Sequence, residues 1–323
     1  ITSLMYTQNN SFDVLAGLSS NMDSIFDSVN EKLEHFKFDK LSKSKKTFAL
    51  ILNGAATYHE DIAESAQKIA KRLGVNIVTL YEKVRNVDRQ VEFINESIRQ
   101  GVDGIALIPL GEGREKIQPV IAEAVNKGIK VIVMDTLFPD CGISELISTD
   151  NYKAGVNVGE ITAKYLKGRG NIIISLTGDQ NLNMINRVNG FKSVIEKMDN
   201  IKLVDIVNEP DLSLRADAIK AKLDEYPEIN CIVYLDNDGA KVQNDLIEKY
   251  NIRLTSIGFD KNDISMKMIE EGKLDAVVAQ RQGLWGELAI KRLNDLATGK
   301  KVPEFEDTGT FEINKRNYFV YSK

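Results

Sequence analysis

The feature of this 323-residue chain that most limits its fold is a regular alternation, from Thr47 onward, of short apolar runs and amphipathic helical stretches. Runs of strand length stand at 48–52, 75–80, 104–110 and 130–134, and helical patterns at 60–73, 87–100 and 113–127 separate them. The runs are rich in Val and Ile without strict alternation, as expected of strands covered on both faces. Gly74, Gly101 and Gly128 each follow a predicted helix, where a left-handed residue closes the last turn. A β-α succession of this kind makes a parallel sheet with right-handed crossovers. The pattern then restarts, with strands at 172–176, 202–207, 231–235, 254–259 and 276–279 and helices at 184–197, 213–225, 239–250 and 263–271. A helix at 152–166 joins the two sets and another follows at 284–297. The expected architecture is α/β, with two similar doubly wound parallel-sheet lobes.

Composition narrows the function classes. With 43% hydrophobic residues the chain can bury a sizeable core. Its net charge of −5, from 42 basic and 47 acidic side chains, gives no cationic field for a phosphate backbone, so no nucleic-acid partner is expected. Cys141 and Cys231 lie in or beside apolar runs without C-x-x-C spacing. They read as buried thiols rather than a metal or redox site, with a bridge between them as the lesser alternative. No run of 18 apolar residues occurs, so nothing in the sequence spans a bilayer. The sequence opens on Ile1 rather than Met, and a native export signal or membrane anchor is expected ahead of it.

Residues 1–45 follow a different pattern. Leu15, Leu18, Met22, Ile25, Val29, Leu33 and Phe36 recur every three or four positions, with Asp13, Asp23, Asp27, Glu31 and Glu34 on the other face. This predicts an amphipathic helix over 12–37, about seven turns long. A lone helix cannot bury such a stripe. It either folds back on the body or serves self-assembly or a partner protein, and the polar spacer 41–46 favours the partner.

In open α/β sheets ligands bind beyond the carboxyl ends of the strands. The residues there are Asn53, Asp135, Thr177-Gly-Asp179, Asp236-Asn-Asp238, Asp260 and Gln280. Taken singly each is a turn former or helix cap, and that reading holds for Asp236 and Asp238. Their recurrence in both halves implies a shared cleft. Carboxylates accept hydroxyl donors and amides donate and accept, so the set suits a neutral polyhydroxylated ligand; a phosphate would favour glycine-rich cradles and cations. Tyr58 and His59 sit at the first strand-to-helix turn, beside that cleft. No G-x-G-x-x-G, G-x-x-x-x-G-K-[ST] or G-x-S-x-G motif stands in the required place. No residue pair supports catalysis, and neither a metal nor a cofactor is expected.

From about Thr47 to Thr310 the chain resembles type I periplasmic sugar-binding proteins, particularly the ribose- and xylose-binding branch, whose fold is shared by effector domains of the lac repressor family. The matching stretches are Gly101-Val-Asp-Gly-Ile-Ala-Leu-Ile-Pro109, Gly128-Ile-Lys-Val-Ile-Val-Met-Asp135, Ser148-Thr-Asp-Asn151, Asn186-Arg-Val-Asn-Gly-Phe191, Leu235-Asp-Asn-Asp238, Ile257-Gly-Phe-Asp260 and Val277-Val-Ala-Gln280. The resemblance implies that Asp135 takes two sugar hydroxyls from one lobe. It implies that Arg187, Asn237, Asp260 and Gln280 complete a polar ring from the other. Aromatic residues stack on the sugar in ribose binders where Tyr58 and His59 stand here. Thr136 replaces the arginine that usually follows the aspartate, and Met184 or Asn183 is expected to line the pocket. Trp285 is expected to pack between lobes or lie on the surface.

The resemblance further implies chain crossings near 148–151, 280–282 and 308–310. Residues 1–45 would form the helix and linker, 46–149 with 281–308 the first lobe, and 150–280 with 309–323 the second. Ligand would select the closed state of a hinge. Three functions fit: an extracytoplasmic sensor of a pentose, first D-xylose, that signals to a membrane partner such as a histidine kinase; the substrate-binding component of an ABC importer with its permease; or a repressor effector domain. Residues 1–40 hold six acidic and three basic side chains, which suits DNA poorly. The long helix favours the sensor.

Overall fold

The computed structural model describes residues 38, 41–42, 44–54, 57–177 and 182–321, without the side chains of residues 57 and 58. The helix expected over 12–37 lies outside the described residues. The first set of elements is β1 (Thr47–Ile51), α1 (Thr57–Leu73), β2 (Asn76–Leu80), α2 (Val87–Arg99), β3 (Gly104–Leu107), α3 (Arg114–Asn126), β4 (Lys130–Met134) and β5 (Glu145–Ser148). The second runs α4 (Asn151–Tyr165), β6 (Gly170–Leu176), α5 (Leu182–Ile195), β7 (Ile201–Asn208), α6 (Arg215–Glu225), β8 (Cys231–Tyr234), α7 (Gly239–Tyr250), β9 (Thr255–Phe259), α8 (Asp263–Glu270) and β10 (Ala276–Gln280). α9 (Gly283–Ala297), β11 (Phe305–Asp307) and β12 (Thr310–Asn314) follow.

The strands form two six-stranded sheets with the same internal order, β11-β5-β4-β3-β1-β2 and β12-β10-β9-β8-β6-β7. Strand for strand, β4 of one sheet therefore corresponds to β9 of the other, and β5 to β10. All pairings are parallel except β10 with β12. The chain passes between the sheets after β5, after β10 and after β11. β5, β11 and β12 escape a reading of local pattern because none carries a continuous apolar run and each takes its extended form from pairing, as where the Leu146 N–H donates to the Glu304 carbonyl at 2.9 Å.

Each sheet is covered on both faces, which is why its strands read as continuous apolar runs. Along β1 the side chains alternate: Phe48 and Leu50 pack with Ile62, Trp285 and Leu293 under α1 and α9, while Ala49 and Ile51 pack with Phe93, Ile94 and Ile117 under α2 and α3. In the second sheet Ile172, Ile174 and Phe259 face α4 and α5, and Ile173, Ile232 and Tyr234 face α6 and α7. Each such fully buried side chain stabilises the fold by about 1.5–3 kcal/mol. Phe38 and Leu41 join the first sheet's core, so the N-terminal segment enters the body there. Cys141 and Cys231 are free and lie in the cores of different sheets, which removes the bridge between them as an alternative. Gly74, Gly101 and Gly128 have φ of +70°, +64° and +85°, as the helix ends require.

Helix pairs approach closely where glycine permits it. A Cβ at Gly155 of α4 would stand 2.0 Å from the Arg187 carbonyl oxygen on α5, and one at Gly190 of α5 would stand 2.0 Å from that of Tyr152. Gly286 of α9 meets the Ile62 carbonyl of α1 in the same way.

The segments between the sheets are tied together. Ser148 O accepts from Thr308 N at 2.9 Å, and Thr308 Oγ1 accepts from the indole N–H of buried Trp285 at 2.8 Å. Asp307 accepts from the backbone of Asp150 at 3.0 Å and of Gly309 at 2.9 Å. Trp285 is thus a packing residue of the first sheet that also anchors a crossing.

At the root of these crossings, Glu145 of β5 is fully buried, with Arg292 Nε of α9 3.5 Å from its carboxylate. Arg292 also pairs with Glu306 of β11 at 3.0 Å. Burial pushes the Glu145 carboxyl up to about 7, with Arg292 opposing the rise and Glu306 adding to it. The native state then holds this proton through a range in which the unfolded chain has released it. Stability from this group therefore falls as pH rises from the ordinary carboxylate range through about 7. Urea melts of wild type and Glu145→Gln should show the variant gaining on the wild type between about pH 5 and about pH 8. A difference in midpoint that stays constant with pH contradicts this.

Candidate functional site

The carboxyl ends of the two sheets carry a matched pair of acids. Asp135 follows β4 and Asp260 follows β9, and both have φ of +67°. Each backbone N–H reaches the neighbouring strand, Asp135 to the Ile147 carbonyl and Asp260 to the Val278 carbonyl, both at 3.0 Å. A left-handed aspartate costs of order 1 kcal/mol or more. Strain stored at the same place in both halves marks positions where geometry matters more than local comfort.

Arg187, on α5, lies between them and is only 3% exposed. Its Nε donates to Asn151 Oδ1 at 2.7 Å and its Nη1 to the Leu235 carbonyl at 2.8 Å. The guanidinium lies 3.9 Å over the Phe259 ring, and Met184 Sδ stands 4.0 Å from Nη1. Burial lowers the pKa of Arg187, and the charges of Asp260, Asp135 and Asp236 oppose that. Burial likewise raises both acids above their ordinary range, and Arg187 is the main opposing influence on each. One cation, on α5 of the second set of elements, is thus felt by an acid at the end of each sheet.

The other side chains singled out in the sequence fall around this centre. Gln280, at the end of β10, donates to Asp260 Oδ1 at 2.8 Å, while its own carbonyl oxygen is buried without a hydrogen-bond partner among the described residues. A buried polar atom without a partner is uncommon in native folds and suits an incoming donor. Thr136 Oγ1 donates to Asp135 Oδ2 at 3.2 Å, and Ser148 Oγ donates to the Asp135 carbonyl at 2.8 Å. Asn237 is exposed, and its backbone and side-chain oxygens accept from Asn262 Nδ2 at 3.0 and 3.1 Å. Tyr58 is the second residue of α1, and its side chain lies outside the described residues. Asn183 is half-buried in the first turn of α5.

His59 is buried in the first turn of α1. Burial and then the nearby charge of Arg85 lower its pKa to about 4, against a hydrogen bond with the Gly54 backbone. It is a neutral imidazole at physiological pH. Asp236 is part of the framework: Arg215 holds it through Nη1 and Nη2 at 3.1 and 2.7 Å and also binds Ser175 Oγ at 2.9 Å, while Asp236 accepts from the Thr177 backbone. Sequence reasoning missed Asn151, which holds Arg187, and Arg215, which holds Asp236. Asn151 stood inside a matching stretch, which was a usable signal; nothing in the local pattern marks Arg215.

Among the described residues no group of three or more His, Cys, Asp or Glu side chains is placed to hold a metal ion, and no helix is long and apolar enough to cross a membrane. The cleft offers paired carboxylates, an arginine and an amide. These make directional hydrogen bonds to hydroxyl groups.

Residues 48–301 match the family model described as periplasmic binding protein domain. The ribose import binding protein RbsB of Bacillus subtilis (strain 168) is 24% identical over 268 residues, covering 81% of this chain and 85% of that protein. The D-xylose-binding periplasmic protein of Escherichia coli (strain K12) is 37% identical over 81 residues, 25% of this chain and 23% of that protein. Among solved structures, a mutant XylFII–LytSN complex matches with 25% identity and a TM-score of 0.69, covering 85% of this chain and 99% of that one. With its two matched sheets and a family match over most of its length, the chain belongs to the periplasmic binding protein family, in its type I sugar-binding branch.

Proposed function

We propose that this protein is an extracytoplasmic sensor that closes around a neutral pentose, first D-xylose, and passes the closed state to a membrane signalling partner. The observation that carries the sugar reading is the matched pair of strand-end acids, Asp135 after β4 and Asp260 after β9, both with φ of +67° and both within electrostatic reach of buried Arg187. A carboxylate in each wall accepts hydroxyl protons, Arg187 donates to oxygen, and the vacant acceptor of Gln280 takes a further hydroxyl. Likeness to the D-xylose-binding protein of E. coli supports the pentose.

The units that move are residues 46–149 with 281–308 and residues 150–280 with 309–323. Only the closed state contacts sugar from both sides, so ligand favours it by the free energy of the contacts it adds. The crossings are suited to this. Ser148 binds the backbone of Asp135, and Asn151, two residues beyond Thr149, binds Arg187. Ligand contacts in both lobes thus act on one short segment.

The signalling reading rests on the likeness to XylFII, solved in complex with LytSN, and on the acidic amphipathic pattern over 12–37. An importer component with an ABC permease is the second reading, favoured by the likeness to a ribose import binding protein. In either case the protein acts outside the cytoplasm.

Titration calorimetry across a pentose panel tests the ligand. D-xylose should bind best, and Asp135→Asn and Asp260→Asn should each weaken it roughly 10- to 100-fold, the weight of one charge-assisted hydrogen bond. Thermal melting should show both variants folded. Wild-type affinity in both variants removes these residues from the site.

Deleting residues 1–37 tests the sensor. Sugar affinity should be unchanged while binding to the sensor domain of a membrane kinase partner is lost. A truncated protein that still docks equally well assigns the helix another role.

A further inference from the structure

We propose that Asp61 and Lys261 form a latch between the two sheets, an ion pair that tightens as the cleft closes and so adds to sugar affinity without touching the sugar. The inference rests on the sugar reading above and gives a role to two residues that neither the sequence motifs nor the ring around Arg187 contains.

Asp61 stands near the amino end of α1, which follows β1 of the first sheet, and Lys261 directly follows Asp260 at the end of β9 in the second. Both therefore lie at the carboxyl ends of their sheets, on the side where ligands bind. Lys261 Nζ is 3.8 Å from Asp61 Oδ2. Among the described residues the other ion pair that joins the two sets of elements is Lys153 with Asp307, at 3.1 Å, and it lies in the crossings. The Asp61 pair stands outside them. With Leu284 of α9 and with Gln280 and Phe311 of the second sheet, it lines a cavity of about 240 Å³. Gln280 is the residue that donates to Asp260 at 2.8 Å.

Each partner is anchored in its own half. α1 is pressed against α9 where Gly286 meets the carbonyl of Ile62, the residue after Asp61. Lys261 sits between two fixed neighbours. Asp260 is tied by its N–H to the Val278 carbonyl at 3.0 Å. Asn262 exchanges hydrogen bonds with Ser265 at 2.9 and 2.8 Å at the start of α8. With both backbones anchored, what stays variable between the charges is the approach of the sheets and the reach of the lysine. A separation of 3.8 Å is that of an ion pair rather than a hydrogen bond. Further approach of the sheets brings the charges together, and opening separates them.

The side chains of Lys261 and Asp61 are 28% and 37% exposed, so water and salt screen the pair in part. A contact made only in the closed state lowers that state and raises the apparent affinity with it. A neutral sugar's own contacts respond little to ionic strength, whereas this pair weakens as salt rises.

Calorimetry with D-xylose on the full chain, at low salt and at about 1 M, tests the latch. Asp61→Asn and Lys261→Gln should each weaken binding roughly two- to fivefold at low salt, and the double variant should be no weaker than either single one. Exchanging the charges, Asp61→Lys with Lys261→Asp, should recover part of the affinity. Raising the salt should weaken the wild type toward the variants and leave the double variant nearly unchanged. Thermal melting without sugar should show every variant folded. Wild-type affinity in both single variants, penalties that add in the double variant, or a double variant as sensitive to salt as the wild type overturns the latch and leaves the sugar reading intact. A wild-type protein that binds no pentose overturns both.

Discussion

The buried guanidinium of Arg187 is the constraint on which the rest of this structure depends. An unpaired cation at that depth would cost several kcal/mol, a large share of the net stability of a fold. Its charge is met by Asp135 and Asp260, its flat face by Phe259, and its N–H groups by Asn151 and the Leu235 carbonyl. Those partners come from both sheets and from the segment joining them. Arg187 can be placed there only because Gly155 and Gly190 let the backbones of α4 and α5 touch. Helix packing, crossing geometry and site electrostatics are therefore one requirement rather than three.

The internal symmetry of the fold explains why the site is double-sided. Equivalent strands in each sheet end in an aspartate held at φ +67°, so folding either half automatically presents one carboxylate at its cleft face. The antiparallel β12 breaks the symmetry, and it does so beyond the last crossing, where the chain ends its second visit to the first lobe. The hydrogen bonds among Ser148, Thr308 and Trp285, and those on Asp307, tie neighbouring crossings to each other.

Much of the fold was legible because parallel strands covered on both faces have a conspicuous sequence pattern, and because glycine marks helix ends. Asp135, Asp260 and Gln280 were legible for a related reason: a polar residue directly after a buried run can only lie at a strand end. The short strands β5, β11 and β12 were not, since pairing rather than side-chain pattern makes them extended. Arg187 emerged only through the Asn186-Arg-Val-Asn-Gly-Phe191 resemblance, for nothing in a helix face distinguishes a buried arginine from a solvated one. Arg85 and Glu145 illustrate the same limit. The first stands in a charged loop and the second opens a four-residue strand, and only the tertiary arrangement reveals that one pairs with Glu112 and the other is enclosed. His59 shows the converse: its position was evident, but its neutrality follows from burial and from Arg85.

The account stands or falls on whether the two lobes move together around a sugar. Pulsed electron paramagnetic resonance on a doubly labelled chain measures this directly. Glu115→Cys and Lys241→Cys place exposed labels on opposite sides of the cleft, while the native Cys141 and Cys231 are buried. The account predicts a broad distribution of longer distances without ligand that collapses to one shorter distance at saturating D-xylose. A distribution that sugar leaves unaltered, in a protein that calorimetry shows to be fully bound, would contradict it.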